Sequence, residues 1–355
     1  MKFSVIIPVH NGEKYLNECI DSALAQKGDF ERELVVVENG STDGSVAICD
    51  EYAEKCDAVK VFHVGSLGAY EARRYGMRKA SGDHLVFLDA DDALKDGALE
   101  TLNESVLKDD PEVILYNAEN MGSEGTLKFS FPFTDGHLYS GDRLREFYDI
   151  MCAGDSLNAM WNKCLKKSLA DRIVSVDDPD TPGMFNHGED LTQTAQILDE
   201  AKSILFINKA LVSYRKDNAG GLTTAYFPQY IEQQDFAWKK LIGYAEKWQK
   251  RADEYKTVIT KRMALTCTIT MNKLIKSDMP WKDLKEELDT LIRKPFYRQY
   301  VGGELPMWAP QEACFVHDLQ TSDDPYKKLL TYGRKLRIKR SIKRIINGIR
   351  LHTLF

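Results

Sequence analysis

The sequence predicts an α/β fold in which a mostly parallel sheet is covered by helices on both faces and followed by a helical carboxyl-terminal region. In the first third of the chain, short apolar runs alternate with segments of helical periodicity. Repeated strand and helix units with short links form parallel, doubly wound sheets. Near residue 221 the alternation gives way to long helical segments. We therefore expect an α/β domain at 1–220, a helical region at 221–324 and a basic amphipathic helix at 325–355.

The elements follow from apolar periodicity. Leu34–Val37 is almost continuously apolar, as expected for a strand covered on both faces. After Asn11, a candidate helix cap, Leu16, Cys19, Ile20, Ala23 and Leu24 fall at helical spacing. The predicted strands are 4–9, 34–37, 59–62 and 84–88. A first helix is predicted after Asn11 and a second one begins at 41–45. The other predicted helices are 69–80, 191–198, 230–277 (as one or two helices) and 281–293. The proline-containing stretch 295–324 is expected to be irregular.

Polar residues follow these strands at their carboxyl ends. His10 and Asn11 follow the first strand, Asn39 follows the second, and Asp89–Asp92 follow the fourth. Ligands of parallel sheets bind beyond the carboxyl ends of the strands, so we expect all of these residues to face one crevice. The turn 39–43 is neither a dinucleotide-binding Gly-x-Gly-x-x-Gly nor a phosphate loop, and neither motif occurs elsewhere. A dehydrogenase and an NTPase are therefore disfavoured.

The run Phe87–Asp92 carries three carboxylates at the end of an apolar strand. If the strand stays extended, Asp89 and Asp91 share one face. Hard divalent cations take carboxylate oxygens together with substrate phosphates. The run therefore predicts a metal-bridged diphosphate, with Asp89, Asp91 and Asp92 as candidate ligands. The alternative is an acidic loop in which Asp92 caps the next helix.

Composition limits the cellular setting. With 355 residues and 43% hydrophobic content, the chain can bury a full core. Its seven cysteines are scattered without a Cys-x-x-Cys pair, which argues against a disulfide framework or a zinc site. No stretch approaches the ~18 apolar residues of a spanning helix. We therefore expect a cytoplasmic protein.

The carboxyl-terminal tail is basic, whereas the rest of the chain is acidic. Ten Lys and Arg residues and no acidic residue follow Asp324. Because the net charge of the whole chain is −6, the residues up to Asp324 have a net charge of −16. Among these cations, Ile338, Ile342, Ile345, Ile346 and Ile349 recur at helical spacing. This pattern predicts a helix lying on an anionic membrane surface, here the inner face of the cytoplasmic membrane. The isoleucine stripe disfavours nucleic acid, and the alternatives are docking on the chain's own acidic domain or on a second subunit as a homodimer.

Five segments, in the same order and at similar spacing, resemble the family 2 glycosyltransferases. They are 5–11 with Glu13 and 15–16, 35–45, Ala72-Arg73 with Gly76, 80–82 and 87–92, with weaker matches at 161–163, 188–191 and 214–215. The resemblance covers roughly residues 1–220. It implies the glycosyltransferase A-type fold and transfer of a sugar, with inversion, from a nucleotide diphosphate, usually UDP, to an acceptor hydroxyl. Members of this family often extend lipid-linked or cell-surface glycans, which are therefore the expected acceptors.

The resemblance also implies roles for residues that would bind the donor. Pro8 and His10 would line the uracil pocket, and Arg73 would contact the diphosphate. Asp91 would bind Mn²⁺ or Mg²⁺, with Asp89 toward the ribose and the metal-bound water and Asp92 a possible additional ligand. Asn39 stands where the family usually has an aspartate that contacts the base, but its amide oxygen can still accept from the uracil imide. The remaining donor-site candidates are Asn11 and Ser41.

On the acceptor side, the resemblance implies that Asp190 is the catalytic base and that Glu189 contacts the acceptor. Inversion in one displacement requires a base opposite the departing diphosphate. Local sequence alone offers the alternative that both acids favour a helix N-terminus. Trp161 would stack on the acceptor sugar, and the alternative is a buried core residue.

Two other functions stay open at this level. A sugar-phosphate nucleotidyltransferase also combines an α/β sheet with acidic metal ligands, but it would release pyrophosphate. A sugar-nucleotide-binding scaffold without catalysis is the second alternative, and Asp89, Asp91 and Asp190 argue against it.

Overall fold

A mixed sheet runs through the first two thirds of the chain. The computed structural model describes residues 1–122, 125–216, 226–248 and 252–352. Within these ranges the strands are β1 (Lys2–Val9), β2 (Glu31–Asn39), β3 (Val59–Val64), β4 (His84–Phe87), β5 (Ala93–Leu94), β6 (Val113–Asn120), β7 (His137–Ser140), β8 (Lys163–Lys166) and β9 (Ser203–Tyr214). Their order is β3-β2-β1-β4-β8-β6-β9-β5, and β7 pairs with β9.

The first four strands are parallel. Val5 is registered with Leu34 on β2 and with Val86 on β4, and Leu34 is registered in turn with Val59 on β3. Beyond β4 the sheet is mixed, because β8 runs antiparallel to both β4 and β6. The carboxyl ends of β1 to β4 therefore meet at one edge, as the sequence predicted.

Thirteen α-helices lie within the described ranges. They are α1 (Leu16–Leu24), α2 (Ser45–Lys55), α3 (Ala69–Lys79), α4 (Ala98–Asp109), α5 (Arg145–Ala153), α6 (Lys167–Val174), α7 (Glu189–Glu200), α8 (Tyr230–Trp248), α9 (Ala252–Lys276), α10 (Trp281–Arg293), α11 (Pro295–Tyr300), α12 (Gln311–Gln320) and α13 (Pro325–His352), with a 3-10 helix at Gly141–Leu144. The fold class predicted from the sequence, an α/β sheet followed by helices, is confirmed.

Helix α3 packs closely on the sheet at Gly76. A Cβ atom at this position would lie 2.5 Å from Ile6 Cγ2 on β1 and 3.4 Å from Val37 Cγ2 on β2. Real Cβ atoms do not approach so closely, so only glycine allows the helix to lie at this depth. The contact matters for the site because Arg73 lies one turn earlier on the same helix.

The chain forms two compact units. One comprises residues 1–219 and 239–250, and the other comprises 220–238 and 251–355. In the second unit, α9 contributes buried Ile259, Met263, Cys267, Met271 and Leu274. The boundary predicted at residues 220–221 lies outside the described residues. No helix in the described ranges is both long and apolar enough to cross a membrane.

Three sequence-based expectations for local structure are wrong. Asn11 does not cap α1, which begins only at Leu16, and Asn11 instead takes a left-handed conformation with φ of 54°. The stretch 295–324 contains α11 and α12, because proline at the start of a helix is compatible with helical geometry. The fourth strand ends at Phe87, so Asp89 and Asp91 do not lie on an extended strand. The alternative role of Asp92 as a helix cap is also excluded, since α4 begins at Ala98.

Candidate functional site

The loops after β1 and β2 are joined by hydrogen bonds. Asn11 N donates to Ser41 Oγ at 3.0 Å, and Thr42 N donates to Asn11 Oδ1 at 2.8 Å. His10 Nδ1 lies 3.0 Å from the carbonyl oxygen of Asn39, so this ring nitrogen carries the proton and donates. Pro8 lies half-buried on β1 beside Val37. The structure therefore brings together Pro8, His10, Asn11, Asn39 and Ser41.

The amide of Asn39 has a fixed orientation. Leu67 N donates to Asn39 Oδ1 at 2.7 Å, which identifies the oxygen and directs the NH₂ group the other way. Asn39 is 6% exposed, and its Nδ2 donates to no other described residue. At the position that the resemblance assigns to base recognition, this chain therefore presents a hydrogen-bond donor, while its oxygen already accepts one bond.

A close backbone contact joins the start of α3 to the segment before α7. Gly68 has φ of 81°, and a Cβ atom on it would lie 2.7 Å from the backbone of Met184 and Phe185. Just after it, Ala69 N donates to Asn186 Oδ1 at 2.7 Å. A larger residue at Gly68 would push the two segments apart. The contact brings Arg73 on α3 next to the first residues of α7.

Arg73 lies between two groups of carboxylates. Its Nη1 donates to Asp190 Oδ1 at 2.8 Å and lies 3.7 Å from Glu189 Oε1, while its Nη2 donates to Asp89 Oδ1 at 3.0 Å. The Arg73 side chain is 6% exposed, and its pKa is raised above the ordinary value by Asp190, Asp89 and Glu189, which outweigh desolvation. This arginine therefore links the loop after β4 to the N-terminus of α7.

Glu189 and Asp190 form a coupled acidic pair at the start of α7. Desolvation raises the pKa of both carboxyl groups. The charge of Asp190 raises the pKa of Glu189 further, to about 8, whereas the Arg73 hydrogen bond favours the ionised form of Asp190. Because Arg73 donates a hydrogen bond to Asp190 but lies 3.7 Å from Glu189, Glu189 is the member of the pair that keeps a proton more readily. Asp190 Oδ2 makes no hydrogen bond to a described residue, and the side chain is 32% exposed.

Arg215 anchors the carboxylate run after β4. Its backbone N donates to Asp92 Oδ1 at 2.7 Å, its Nε donates to the carbonyl oxygen of Asp91 at 3.0 Å, and its guanidinium also binds Glu18. Asp92 is 1% exposed, and its Oδ2 has no partner among the described residues. Desolvation, with a contribution from the charge of Asp89, raises the pKa of Asp92 to about 8. Asp92 is therefore mostly protonated at neutral pH in the metal-free protein.

The carboxylates fit a metal ion that is shared with substrate phosphates. Oxygen ligands of this kind suit Mg²⁺ and Mn²⁺. Across the part of the chain that the structure describes, no group of three or more His, Cys, Asp or Glu side chains converges as a metal cage. Asp89 gives one oxygen to Arg73, Asp92 is buried, and Asp91 is half-buried, as Asp89 is. A metal would therefore need the oxygens of a bound diphosphate to complete its coordination.

Trp161 is 4% exposed and belongs to the main hydrophobic core. Its ring stacks on Phe129 with centroids 5.9 Å apart and contacts Tyr214 at 5.4 Å. This environment is that of a buried core residue, which was the alternative role for Trp161. Stacking of Trp161 on an acceptor sugar stays a prediction. Sequence reasoning missed Lys128, whose Nζ lies 3.4 Å from the centroid of the Tyr214 ring and whose pKa is lowered by desolvation. No sequence signal marks it, because it lies in an irregular segment.

The chain is similar in sequence to known glycosyltransferases. The family model described as "Glycosyl transferase family 2" matches residues 4–156. "Glycosyltransferase GlyG" of Streptococcus pneumoniae is 35% identical over 251 residues, which cover 67% of this chain and 76% of GlyG. "Glycosyltransferase GlyA" of the same species is 28% identical over 228 residues, which cover 60% of this chain but only 30% of GlyA.

Solved structures share the architecture. The crystal structure of S. aureus TarS 1-349 in complex with UDP-GlcNAc aligns with a TM-score of 0.60 and 18% identity, covering 96% of this chain and 92% of that chain. At this identity the likeness shows a common fold.

Proposed function

The chain belongs to the family 2 glycosyltransferases and has their A-type fold, and from this premise we propose that it transfers a sugar from a UDP-sugar to an acceptor hydroxyl with inversion at the sugar carbon. The transferred group is a hexosyl or N-acetylhexosaminyl unit, and the acceptor is a cell-surface glycan or its lipid-linked precursor. We assign the activity to residues 1–220.

One observation carries the proposal. Arg73 hydrogen-bonds at once to Asp89, which precedes the proposed metal ligand Asp91, and to Asp190, the proposed base. In a single displacement the leaving diphosphate and the attacking hydroxyl lie on opposite sides of the sugar carbon. A cation that joins carboxylates from both sides of such a site fits this arrangement, since it fixes their positions relative to each other and offsets their charge.

Proton transfer falls to Asp190 in this proposal. An incoming hydroxyl must lose its proton as the new glycosidic bond forms, and a carboxylate within hydrogen-bond reach can accept it. Asp190 Oδ1 is held by Arg73, so Oδ2 is the oxygen available for this proton. Glu189, which holds the shared proton at neutral pH, can donate a hydrogen bond to the acceptor.

On the donor side, Asp91 and Asp89 would hold Mn²⁺ or Mg²⁺, with Asp92 as a positioning carboxyl. When bound, the cation stabilises the negative charge that develops on the departing UDP. The chain's own contribution is the Arg73 guanidinium, together with the fixed loop that Arg215 ties down.

The base pocket would use Pro8, His10 and Asn39, with Asn11 and Ser41 shaping the loop around it. His10 is exposed, so its ring face is open to stacking. Because Asn39 Oδ1 accepts from Leu67 N, the free amide hydrogens would donate to a carbonyl oxygen of uracil. This differs from acceptance of the uracil imide, which the resemblance by itself suggested.

A panel of nucleotide sugars tests the proposal. Thermal unfolding is measured with UDP-, GDP-, CDP- and ADP-sugars, each with and without Mn²⁺, because a ligand stabilises the folded state according to its affinity. We expect stabilisation by UDP-sugars that depends on the metal, and slow release of UDP without an acceptor. Release of pyrophosphate from a sugar phosphate and UTP would support a nucleotidyltransferase instead, and metal-dependent binding without turnover on any acceptor would support a scaffold.

The remaining predicted roles are proposals for other parts of the chain. We propose that residues 221–324 bind the acceptor or form a homodimer. The last predicted region is helical through Pro325–His352, and its attachment to a membrane is taken up next.

A further inference from the structure

Helices α12 and α13 enclose an apolar groove of about 810 Å³. Phe315 and Leu319 of α12 line it together with Tyr332, Leu336 and Ile338 of α13. Phe315 is 47% exposed and Ile338 is 52% exposed, while the Phe315 ring meets the Tyr332 ring edge-on at 5.1 Å. The groove is therefore an apolar surface that is open to solvent.

Lysines border this groove on α13. Lys327, Lys335 and Lys339 line it and form no ion pair with a described residue, whereas Lys328 is paired with Asp323. Lys335, Ile338, Lys339 and Ile342 follow one another at intervals of three, one and three residues, and both isoleucines are about half exposed. Two acids also line the groove next to the start of α13: Asp323, which pairs with Lys328, and Asp324, which accepts a hydrogen bond from the backbone N of Lys327. The groove thus combines apolar walls with four lysines and two acids, and three of the lysines form no ion pair with a described residue.

We propose that this groove binds anionic lipid at a bilayer surface, with acyl chains against Phe315, Leu336 and Ile338 and lipid phosphates on Lys327, Lys335 and Lys339. Lysine side chains suit such a boundary, because the stem contacts apolar material while the ammonium group reaches the phosphates. This proposal is independent of the proposed enzymatic activity. The sequence predicted only that the basic tail as a whole is attracted to an anionic membrane, whereas the groove is a site with defined residues.

The charge distribution favours a lipid surface over the other possible occupants. The ten cations after Asp324 have no acidic residue among them, so α13 is matched to a surface of uniform negative charge. A second copy of this chain would bring an equally lysine-rich surface to the interface, which adds like charge there. A bilayer supplies both phosphates and apolar chains at the spacing of one amphipathic helix.

Vesicle sedimentation tests the site with the full-length chain. Phosphatidylcholine vesicles are compared with vesicles containing phosphatidylglycerol, at low salt. The doubly reversed variant Lys335→Glu with Lys339→Glu should bind anionic vesicles about 10-fold less or weaker still. Its matched control is Lys282→Glu with Lys285→Glu on the exposed side of α10, which changes the net charge equally and should bind as the wild type does.

The apolar contribution has its own pair of variants. Phe315→Ser should weaken binding several-fold, whereas Met307→Ser, which removes a fully exposed apolar side chain away from the groove, should leave it unchanged. Circular dichroism and thermal unfolding confirm that each variant is folded. Equal losses in the two charge-reversed variants would overturn the proposal in favour of net charge. The proposal would also be overturned if Phe315→Ser bound anionic vesicles as strongly as the wild type. A third contrary result would be that no variant binds vesicles, while sedimentation equilibrium shows a dimer that the Phe315→Ser substitution dissociates.

Discussion

Arg73 Nη1 donates a 2.8 Å hydrogen bond to Asp190 Oδ1, while Nη2 of the same guanidinium donates at 3.0 Å to Asp89 Oδ1. The two carboxylates are 101 positions apart in the sequence, yet they share one cation. Through Arg73, a change on the donor side of the site alters the electrostatic environment of the proposed base. The pKa of Asp190 therefore reports whether Arg73 is in place between the two carboxylates.

The first prediction concerns the pH dependence of Arg73→Gln. An opposite charge close to a carboxylate lowers its pKa, so losing the guanidinium should raise the pKa of Asp190 further. A base works only when deprotonated, so the acidic limb of kcat at saturating donor should move to higher pH. The profile is measured for Arg73→Gln and for the control Arg78→Gln, which changes an exposed arginine about one and a half turns further along α3. An unmoved acidic limb in Arg73→Gln would separate Arg73 from the base.

The second prediction concerns Asp190→Asn. The substitution keeps the shape of the side chain but removes the base, so transfer should fall by roughly 10²–10⁴-fold while UDP binding persists. Transfer is measured as glycosylated product and binding as the UDP-induced rise in Tm. Glu200→Gln, at the other end of α7 and 3.7 Å from Arg172, is the control acid and should retain normal activity.

Glu189→Gln provides a sharper comparison within the acidic pair. The pKa of Glu189 is about 8, so at pH 7 the residue is mostly neutral and an amide mimics it. Glu189→Gln should therefore keep most of the kcat that Asp190→Asn loses, with its effect confined to the KM for the acceptor. The reverse order of kcat values would place the base on Glu189.

The third prediction concerns the metal. Asp91→Ala should abolish the part of UDP binding that depends on Mn²⁺, because Asp91 is the main proposed ligand of the metal that would hold the diphosphate. Calorimetric titration of UDP with and without Mn²⁺ measures this difference. Asp96→Ala removes an exposed acid in the turn after β5 and should bind as the wild type does. Unchanged metal-dependent affinity in a folded Asp91→Ala protein would remove Asp91 from the site.

The fourth prediction concerns stability and Asp92. Between an unfolded pKa near 3.8 and a folded pKa of about 8, the folded protein binds one more proton than the unfolded chain. This contribution to stability is therefore present at low pH and is lost as pH rises toward 8. Asn mimics the neutral acid and keeps an oxygen that can accept from Arg215 N. The Tm of Asp92→Asn should therefore exceed that of the wild type at pH 8, and by less at pH 5. Each kcal/mol of free energy of unfolding that is gained corresponds to a rise in Tm of ~2–4 °C.

Thermal unfolding in buffer with EDTA measures this gain, and exposed Asp96→Asn is the matched control that should show none. A gain that is equal at pH 5 and pH 8 would mean that Asp92 is already ionised in the metal-free protein.

Much of the fold was accessible from the sequence. The buried runs in β1 and β2 and the helical spacing of Leu16, Cys19, Ile20 and Ala23 are local patterns, because strands and helices bury side chains at fixed periods. The helix at Trp281–Arg293 was predicted with both ends correct. Where the pattern was ambiguous, as at 295–324, the sequence failed, since proline permits a helix start as readily as a loop.

The sequence by itself determined which polar residues follow each strand and which residue types meet at the edge of the sheet. Both depend only on local apolar periodicity and on the parallel arrangement of strands that helices connect. Only the tertiary structure decided which of those residues pair. The Arg73 bridge needs α3 to lie against the segment before α7, and that approach depends on the backbone contact at Gly68. The burial that neutralises Asp92 and the orientation of the Asn39 amide likewise arise from neighbours distant in the chain, Arg215 and Leu67. Local sequence carries no record of such neighbours, because desolvation and hydrogen bonding act through space.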